Sequence, residues 1–348
     1  MMELLVSSEL SDFSAKTSSQ RLYCKKCLED CVQFNVATGY ISSESILSLK
    51  SIIERNPTPN VNIFIGMHYL ESFTETQYKS VSRLNETLTN MNRGMVYLSP
   101  RLKFHGKMYS FERDNQCFSA SVGSSNFGSF LCGSNDVCEI DSVYSGEAAT
   151  LIDNKIKALI KALGVPFSEL SQPQFTPELP LLDGHFGVKK LPDGTFNSYS
   201  MKTTGRRFPI PLKTEAKSNL NAYFGKGREN KKRGFIIPRP WYEVELIVPK
   251  SITSLDGYPR NDSFNVITKE NYSFECETNG DYAKNFRSSK DLKILGKYIK
   301  GNMESSRALE IGNPVDDKVL SDFGYNSIVL SETTAPKTWL LDFGNNEQ

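Results

Sequence analysis

The sequence predicts an α/β layered domain over residues 1–165, a linker at 166–180 and a mainly β domain over 181–348. Three observations predict it. The first half alternates short β-rich apolar runs with amphipathic helical stretches, the pattern of layered α/β domains. The second half turns to short strands broken by turn signals, the pattern of a barrel or sandwich. Between them Pro166, Pro173, Pro177 and Pro180 punctuate a stretch with little periodicity, which reads as a linker. A chain of 348 residues also exceeds what one hydrophobic core usually organises.

Taken in order, residues 35–41 and 61–67 are apolar runs of strand character. Between them, residues 44–54 carry Ile46, Leu47, Leu49, Ile52 and Ile53 at helical spacing. Residues 76–91 form a second helix, followed by closely spaced strands at 95–98, 107–111, 117–122 and 137–144. A helix at 148–163 closes the block, with Leu151, Ile152, Ile156, Leu159, Ile160 and Leu163 on one face. Beyond the linker the expected strands are 208–212, 241–248, 263–267, 273–276, 327–330 and 338–343. Turns are expected at Asp193-Gly194 and Asn279-Gly280, with one or two short helices besides.

No apolar run approaches the ~18 residues of a membrane span. The opening Met1-Met2-Glu3-Leu4-Leu5 lacks the basic flank and apolar stretch of a secretory signal. Seven scattered cysteines, an odd number, point to a reducing compartment, so a cytoplasmic protein without a membrane partner is expected. The net charge of +1 hides a strong local bias. From Lys202 to Arg239 eleven basic residues face only Glu215 and Glu229. A second cluster, Lys284, Arg287, Lys290, Lys293, Lys297 and Lys300, faces Asp281 and Asp291. Interleaved with Tyr223, Phe224 and Tyr282, these clusters suit a surface that neutralises phosphates; a solvated lysine-rich loop would have the same composition.

The chemistry concentrates in Phe104-His105-Gly106-Lys107-Met108-Tyr109 and Val122-Gly123-Ser124-Ser125-Asn126. On a strand His105 and Lys107 share a face. An imidazole beside an ammonium needs a reason, because each cation depresses the other's proton affinity, and an anionic phosphoryl group supplies it. Neutral His105 can then attack phosphorus to form a phosphohistidine, with Lys107 holding the equatorial oxygens. Ser124 and Asn126, on a glycine-initiated turn, add hydrogen bonds to those oxygens. A carboxylate is expected to orient the imidazole, Glu139 first and Asp136 second.

His105-Gly106-Lys107 with Gly123-Ser124-Ser125-Asn126 resembles the His-x-Lys … Gly-Ser-x-Asn signature of the phospholipase D superfamily, over most of residues 1–165. The superfamily pattern often has Asp five residues after the lysine, where this chain has Glu112. The resemblance implies two histidines, one attacking and one protonating the leaving oxygen. This chain has one His-x-Lys, since Tyr69-Leu70 follow His68 and Phe186-Gly187 follow His185. Small members of the superfamily dimerise to pair their motifs, which implies an isologous homodimer with one composite site, without metal or other cofactor. The whole chain is similar to type II restriction endonucleases of the NgoFVII/NgoAVII group. Their second domain resembles the plant B3 pseudobarrel, which grips the major groove of double-stranded DNA with two arms. The segment Gly205-Arg206-Arg207-Phe208-Pro209-Ile210-Pro211 resembles the first arm, and residues 281–292 are the candidate second. The DNA contacts this implies fall on Lys202, Arg206, Arg207, Lys284, Asn285, Arg287 and Lys290, with Arg and Asn suited to base edges and Lys to phosphates. Some relatives act beside an ATP-driven partner protein. This chain has no phosphate loop of its own.

Three other patterns compete. Cys24, Cys27 and Cys31 share a helix face with Leu28 and read as packing thiols rather than metal ligands. Asp193 with Glu215 and Lys217 loosely matches the carboxylate–lysine pattern of magnesium-dependent nucleases and predicts the opposite metal dependence. A lipid-directed or nonspecific phosphodiesterase on the same catalytic fold, and a non-catalytic DNA-binding protein, are the remaining alternatives.

Overall fold

The computed structural model describes residues 2–7, 9–11, 14–215 and 219–345. Its contacts divide the chain into two compact units, Met1–Glu178 with Arg228–Pro238, and Leu179–Gly227 with Arg239–Gln348.

The elements of the first unit are, in chain order, β1 (Met2–Val6), α1 (Ser18–Leu28), β2 (Gln33–Thr38), α2 (Ser43–Arg55), β3 (Asn60–Ile65), α3 (Glu75–Asn90), β4 (Gly94–Leu98), β5 (Lys107–Arg113), β6 (Gln116–Gly123), α4 (Phe127–Cys132), β7 (Ile140–Tyr144), α5 (Glu147–Leu163) and β8 (Val165–Pro166). They build an eight-stranded sheet in the order β1-β7-β6-β5-β2-β3-β4-β8. Strands β2, β3 and β4 are parallel, and α2 and α3 make the crossovers. Both crossover helices begin with a reciprocal cap, Ser42 with Ser45 and Thr74 with Gln77, which satisfies backbone N–H groups that the first turn leaves unpaired. The other half of the sheet is antiparallel, β5 against β2 and then β6, β7 and β1.

Helices α1 to α4 cover one face of the sheet. Phe34, Val36, Ile63, Val96, Tyr109 and Phe111 meet Leu28, Ile46, Leu49, Val81, Leu84, Phe127 and Phe130 there in one buried cluster. Helix α5 covers the other face through Ile156, over Ala37 and Phe64. Ile152, Leu159, Ile160 and Leu163 pack around the buried Ile156 as the expected apolar face, with Ala149 and Asp153 buried beside them, whereas Leu151, 71% exposed, lies off that face. Cys24 and Cys27 lie on α1 and Cys31 just beyond its end; all three are buried in the main cluster. None of the seven cysteines is in a disulfide. Strand β1, which the sequence reading did not foresee, is a five-residue edge strand that pairs, among the described residues, with β7 alone.

The hairpin Arg228–Asn230/Phe235–Ile237 completes this unit from far along the chain. Phe235 is buried in the main cluster, and the Asn56 amide mimics a strand partner. Its Nδ2 donates to Ile236 O at 2.9 Å, and Ile236 N donates to its Oδ1 at 2.7 Å.

The second unit holds β9 (Val188–Lys190), β10 (Thr203–Pro211), β11 (Leu246–Ile247), β12 (Ser263–Thr268), β13 (Tyr272–Asn279), β14 (Asn285–Ser288), α6 (Lys293–Ser305), β15 (Ser327–Thr333) and β16 (Thr338–Gly344). The sheet order is β10-β15-β16-β12-β13-β14-β11, with β9 also on β13. Phe208, Phe264 and Trp339 form part of its core, and α6 buries Ile294, Leu295, Tyr298 and Ile299. The strand expected at 241–248 shrinks to Leu246–Ile247. Pro240 and Pro249, which lack a backbone donor, bracket the segment, and Trp241 and Tyr242 bond Glu304 by their side chains. Among the described residues, no helix is long and apolar enough to cross a membrane.

Candidate active site

The parallel strands β2, β3 and β4 end at Thr38, Ile65 and Leu98, and β5 starts beside them, with Lys107 opposite Thr38. Sites of open α/β sheets gather at this end, where loops diverge and backbone donors are free. His105 precedes β5 and is exposed, whereas Lys107 is its first residue and only 7% exposed. Lys107 Nζ lies 3.1 Å from His105 Nε2 and 3.4 Å from Nδ1, and donates to His105 O at 2.8 Å. Burial lowers the proton affinity of Lys107, and the negative charge of Glu139 partly restores it.

Gly123 ends β6 and turns the chain into Ser124, Ser125 and Asn126. A Cβ on Gly123 would stand 2.2 Å from Asp141 Oδ1 and 2.4 Å from Ile140 O, so the turn requires glycine. Ser124 Oγ donates to Glu139 Oε2 and accepts from Ile140 N at 3.0 Å. Ser125 points the other way: its Oγ and its N, the latter at 3.2 Å, both donate to the buried Asp141 carboxylate. Tyr109 Oη donates to Ser125 O at 2.7 Å and clamps the same turn. Asn126 caps α4 by position but not by side chain, and its buried Oδ1 has no hydrogen-bond partner.

Glu139 is 5% exposed and engages Ser124, within electrostatic reach of Lys107; no hydrogen bond joins it to His105 among the described residues. Asp136 is exposed and bonded by Ser134. Glu112 accepts from Asn35 at 2.6 Å and pairs with Lys157 at 2.9 Å, a network between sheet and α5. Asp141 was not singled out in the sequence reading. Its signal was faint, an acid on alternate positions with Glu139 at the start of an otherwise ordinary strand. Tyr40 and Glu71, which flank His105, carry no local motif at all.

The expected DNA contacts all lie in the second unit. Lys202, Arg206 and Arg207 sit exposed around the start of β10, where a bulge between Thr203 and Arg207 interrupts the pairing to β15. Arg206 is held by Asp256 at 2.6 Å and Glu332 at 3.2 Å. Lys284, Asn285, Arg287 and Lys290 lie on and around β14. Arg287 pairs with Glu277 at 2.7 Å and Glu245 at 3.2 Å, Lys290 with Glu275 at 3.3 Å and Lys284 with Asp281 at 3.6 Å, while Asn285 donates to Asn279 at 3.2 Å. The segment 250–260 touches both candidate arms: Asp256 holds Arg206, Tyr258 packs on Phe208 and donates to Ala283 O, and Lys250 sits 4.5 Å over the Tyr282 ring. Of the magnesium-type set, Asp193 and Glu215 are exposed, and Lys217 lies outside the described residues.

Two family models match this arrangement. Residues 17–161 match the NgoFVII restriction endonuclease N-terminal PLD domain, and residues 198–334 the NgoFVII C-terminal B3-like DNA-binding domain, together about four-fifths of the chain. Among curated proteins none matches by sequence. Solved structures similar to the chain include Nuc, a phospholipase D family member from Salmonella typhimurium, at 15% identity over 48% of this chain and 97% of that one, with a TM-score of 0.31. NucT from Helicobacter pylori matches at 11% identity over 47% of this chain and 99% of that one, TM-score 0.33. Phosphatidylserine synthase from Haemophilus influenzae Rd KW20 matches at 13% identity over 49% of this chain and 41% of that one, TM-score 0.35.

Proposed function

Since the chain belongs to the NgoFVII restriction endonucleases, hydrolases of DNA phosphodiester bonds with a phospholipase D-like catalytic domain and a B3-like DNA-binding domain, we propose that it cuts DNA through a covalent phosphohistidine on His105, without metal, at a site shared by two subunits. The observation that carries this reading is the 3.1 Å approach of Lys107 Nζ to His105 Nε2 at the loop end of the sheet. An ammonium and an imidazole that close favour an anion between or beside them.

The neutral imidazole of His105 attacks phosphorus, and the N–P bond forms as the bond to the leaving deoxyribose oxygen breaks. That oxygen takes its proton from the imidazolium of His105 of the partner subunit. Water then gives a proton back to that imidazole while its oxygen breaks the N–P bond, and both histidines return to their starting states. Lys107 donates to the phosphoryl oxygens, and Ser124 joins it by turning its one hydroxyl proton from Glu139 to the substrate, so their charge and dipoles supply the stabilisation a metal would otherwise give. Asn126, on the same turn, donates to the same oxygens through its amide Nδ2.

Two features support the shared site. Neither of the other histidines stands ready as the acid in the same unit. His68 is buried with Nε2 accepting from Ile41 N at 3.1 Å, and burial lowers its proton affinity, while His185 belongs to the second unit. An apolar strip, Met2, Leu4 and Val6 with Ile140, is exposed on β1 and β7 at the edge of the sheet, and Ile140 is bonded directly to Ser124. Exposed apolar surface next to a site marks a protein contact. In the second unit, Lys202, Arg206, Arg207, Lys284, Asn285, Arg287 and Lys290 contact the DNA, and Arg206 and Arg287 leave their carboxylates for base edges or phosphates.

The test is cleavage of a phage DNA substrate in excess EDTA by the native chain and by His105→Ala, with a denaturing, alkaline quench to preserve any protein–DNA adduct. Discrete fragments and an adduct, both lost in the variant, are expected. Cleavage only with magnesium and indifferent to His105 overturns the reading and turns attention to Asp193, Glu215 and Lys217.

A further inference from the structure

The imidazole of His105 is bonded only by the flexible ammonium of Lys107 among the described residues, yet an attacking nucleophile must be held in one orientation. The holding contact is aromatic. The Tyr40 ring meets the His105 ring edge-on, with centroids 5.6 Å apart and planes at 76°. Tyr40 meets His68 in the same way, at 5.3 Å and 89°, and His68 stacks on the buried Phe73 at 4.9 Å and 16°. These rings form a continuous ladder from the core to the nucleophile.

Both ends of Tyr40 are fixed. Its phenol donates to Glu71 Oε2, and Lys103, two residues before His105, pairs with Glu71 Oε1 at 2.8 Å. Glu71 belongs to the one-turn helix His68–Glu71 that also carries His68. Beneath the imidazole, Gly39 leaves no spare room. A Cβ there would stand 3.3 Å from both Cα and Cδ2 of His105 and 3.2 Å from Met67 Cγ. We propose that Tyr40, locked by Glu71, is a positioning residue that sets the orientation of the His105 ring. The assignment rests on the reading of His105 as nucleophile.

The chain's three histidines make a direct test simple. The full-length protein, labelled in histidine, gives imidazole signals that His105→Ala assigns. Those signals and the single-turnover cleavage rate across pH are followed in Tyr40→Ala, Tyr40→Phe and Glu71→Gln. Tyr40→Ala should shift the His105 signals and slow single-turnover cleavage about 10- to 100-fold at saturating DNA, with KM little changed. Tyr40→Phe keeps the ring and should recover most of the rate. Glu71→Gln alters an exposed side chain, so it reports on the phenol clamp even if Tyr40→Ala folds poorly; a smaller shift and a smaller loss are expected. Unmoved His105 signals in both Tyr40→Ala and Glu71→Gln overturn the proposal, whatever the rates do. Full activity of His105→Ala would instead remove the nucleophile reading while leaving the ring contact to be judged by its signals.

Discussion

Lys107 is where burial and charge compete most directly. Removal from water lowers its proton affinity, and the Glu139 carboxylate opposes that loss. Only the ammonium can hold phosphoryl oxygens, so activity should decline on the alkaline side at a pH below the ordinary lysine range of about 10.4. Glu139→Gln removes the opposing charge, which lowers the lysine's proton affinity further and moves the alkaline limb to lower pH. The check is the pH profile of kcat/KM for the two proteins; a limb that stays in place would assign it to another group. At this scale the sequence was most readable where the site is local. His105 and Lys107 at the start of one strand, and Ser124 and Asn126 on the turn after the next, follow from alternation and a glycine turn. Glu139 was found, but its partner was not: it meets Ser124, because the β6–β7 pairing sets Ser124 beside Ile140. Tyr40 and Glu71 reach His105 through separate strand ends and a one-turn helix, and no spacing rule announces such a meeting.

The same difference appears at the scale of elements. Helical spacing located α2, α3 and α5, since an amphipathic period is written in consecutive residues, and β-rich runs located β2 to β6 to within a few positions. What spacing could not give was the polar anchor of α5. Asp153 faces the sheet and accepts from Ser110 at 2.6 Å and Asn35 at 3.0 Å, and it pairs with Lys157 at 2.7 Å. Leu151 lies off the face that carries Asp153 and Ile156, so it stays in water. Asp153→Ala should therefore cost about 3 kcal/mol or more, beyond what its small side chain implies, because it leaves the buried Ser110 hydroxyl and one of the two Asn35 amide protons without an acceptor. Urea unfolding measures it, and a loss under about 1 kcal/mol would show that Glu112 alone satisfies the network.

For the whole molecule, the basic run from Lys202 to Arg239 illustrates what a charge count omits. Composition presented it as one phosphate-facing surface, but the fold divides it. Arg206 and Arg239 are engaged by Asp256, Glu332 and Glu243, and the stretch 228–238 joins the first unit. In that stretch Arg233 pairs with Asp30, and Asn230 donates to Glu29 at 2.8 Å. Phe235 enters the cluster that also contains Leu28, Phe34 and Ile52. The first unit thus takes part of its core from residues some fifty positions past its own last strand-and-helix block, and its stability should depend on them. Phe235→Ala should cost that unit about 3–5 kcal/mol, the usual penalty for emptying a buried aromatic site. Hydrogen exchange can localise the loss. Amides of β2 and β3 should exchange faster in the variant, while those of β12 and β13 keep their protection. Uniform loss across both sheets would mean that the two units unfold as one cooperative block, and unchanged protection in β2 and β3 would mean that the hairpin only rests on the first unit without completing its core.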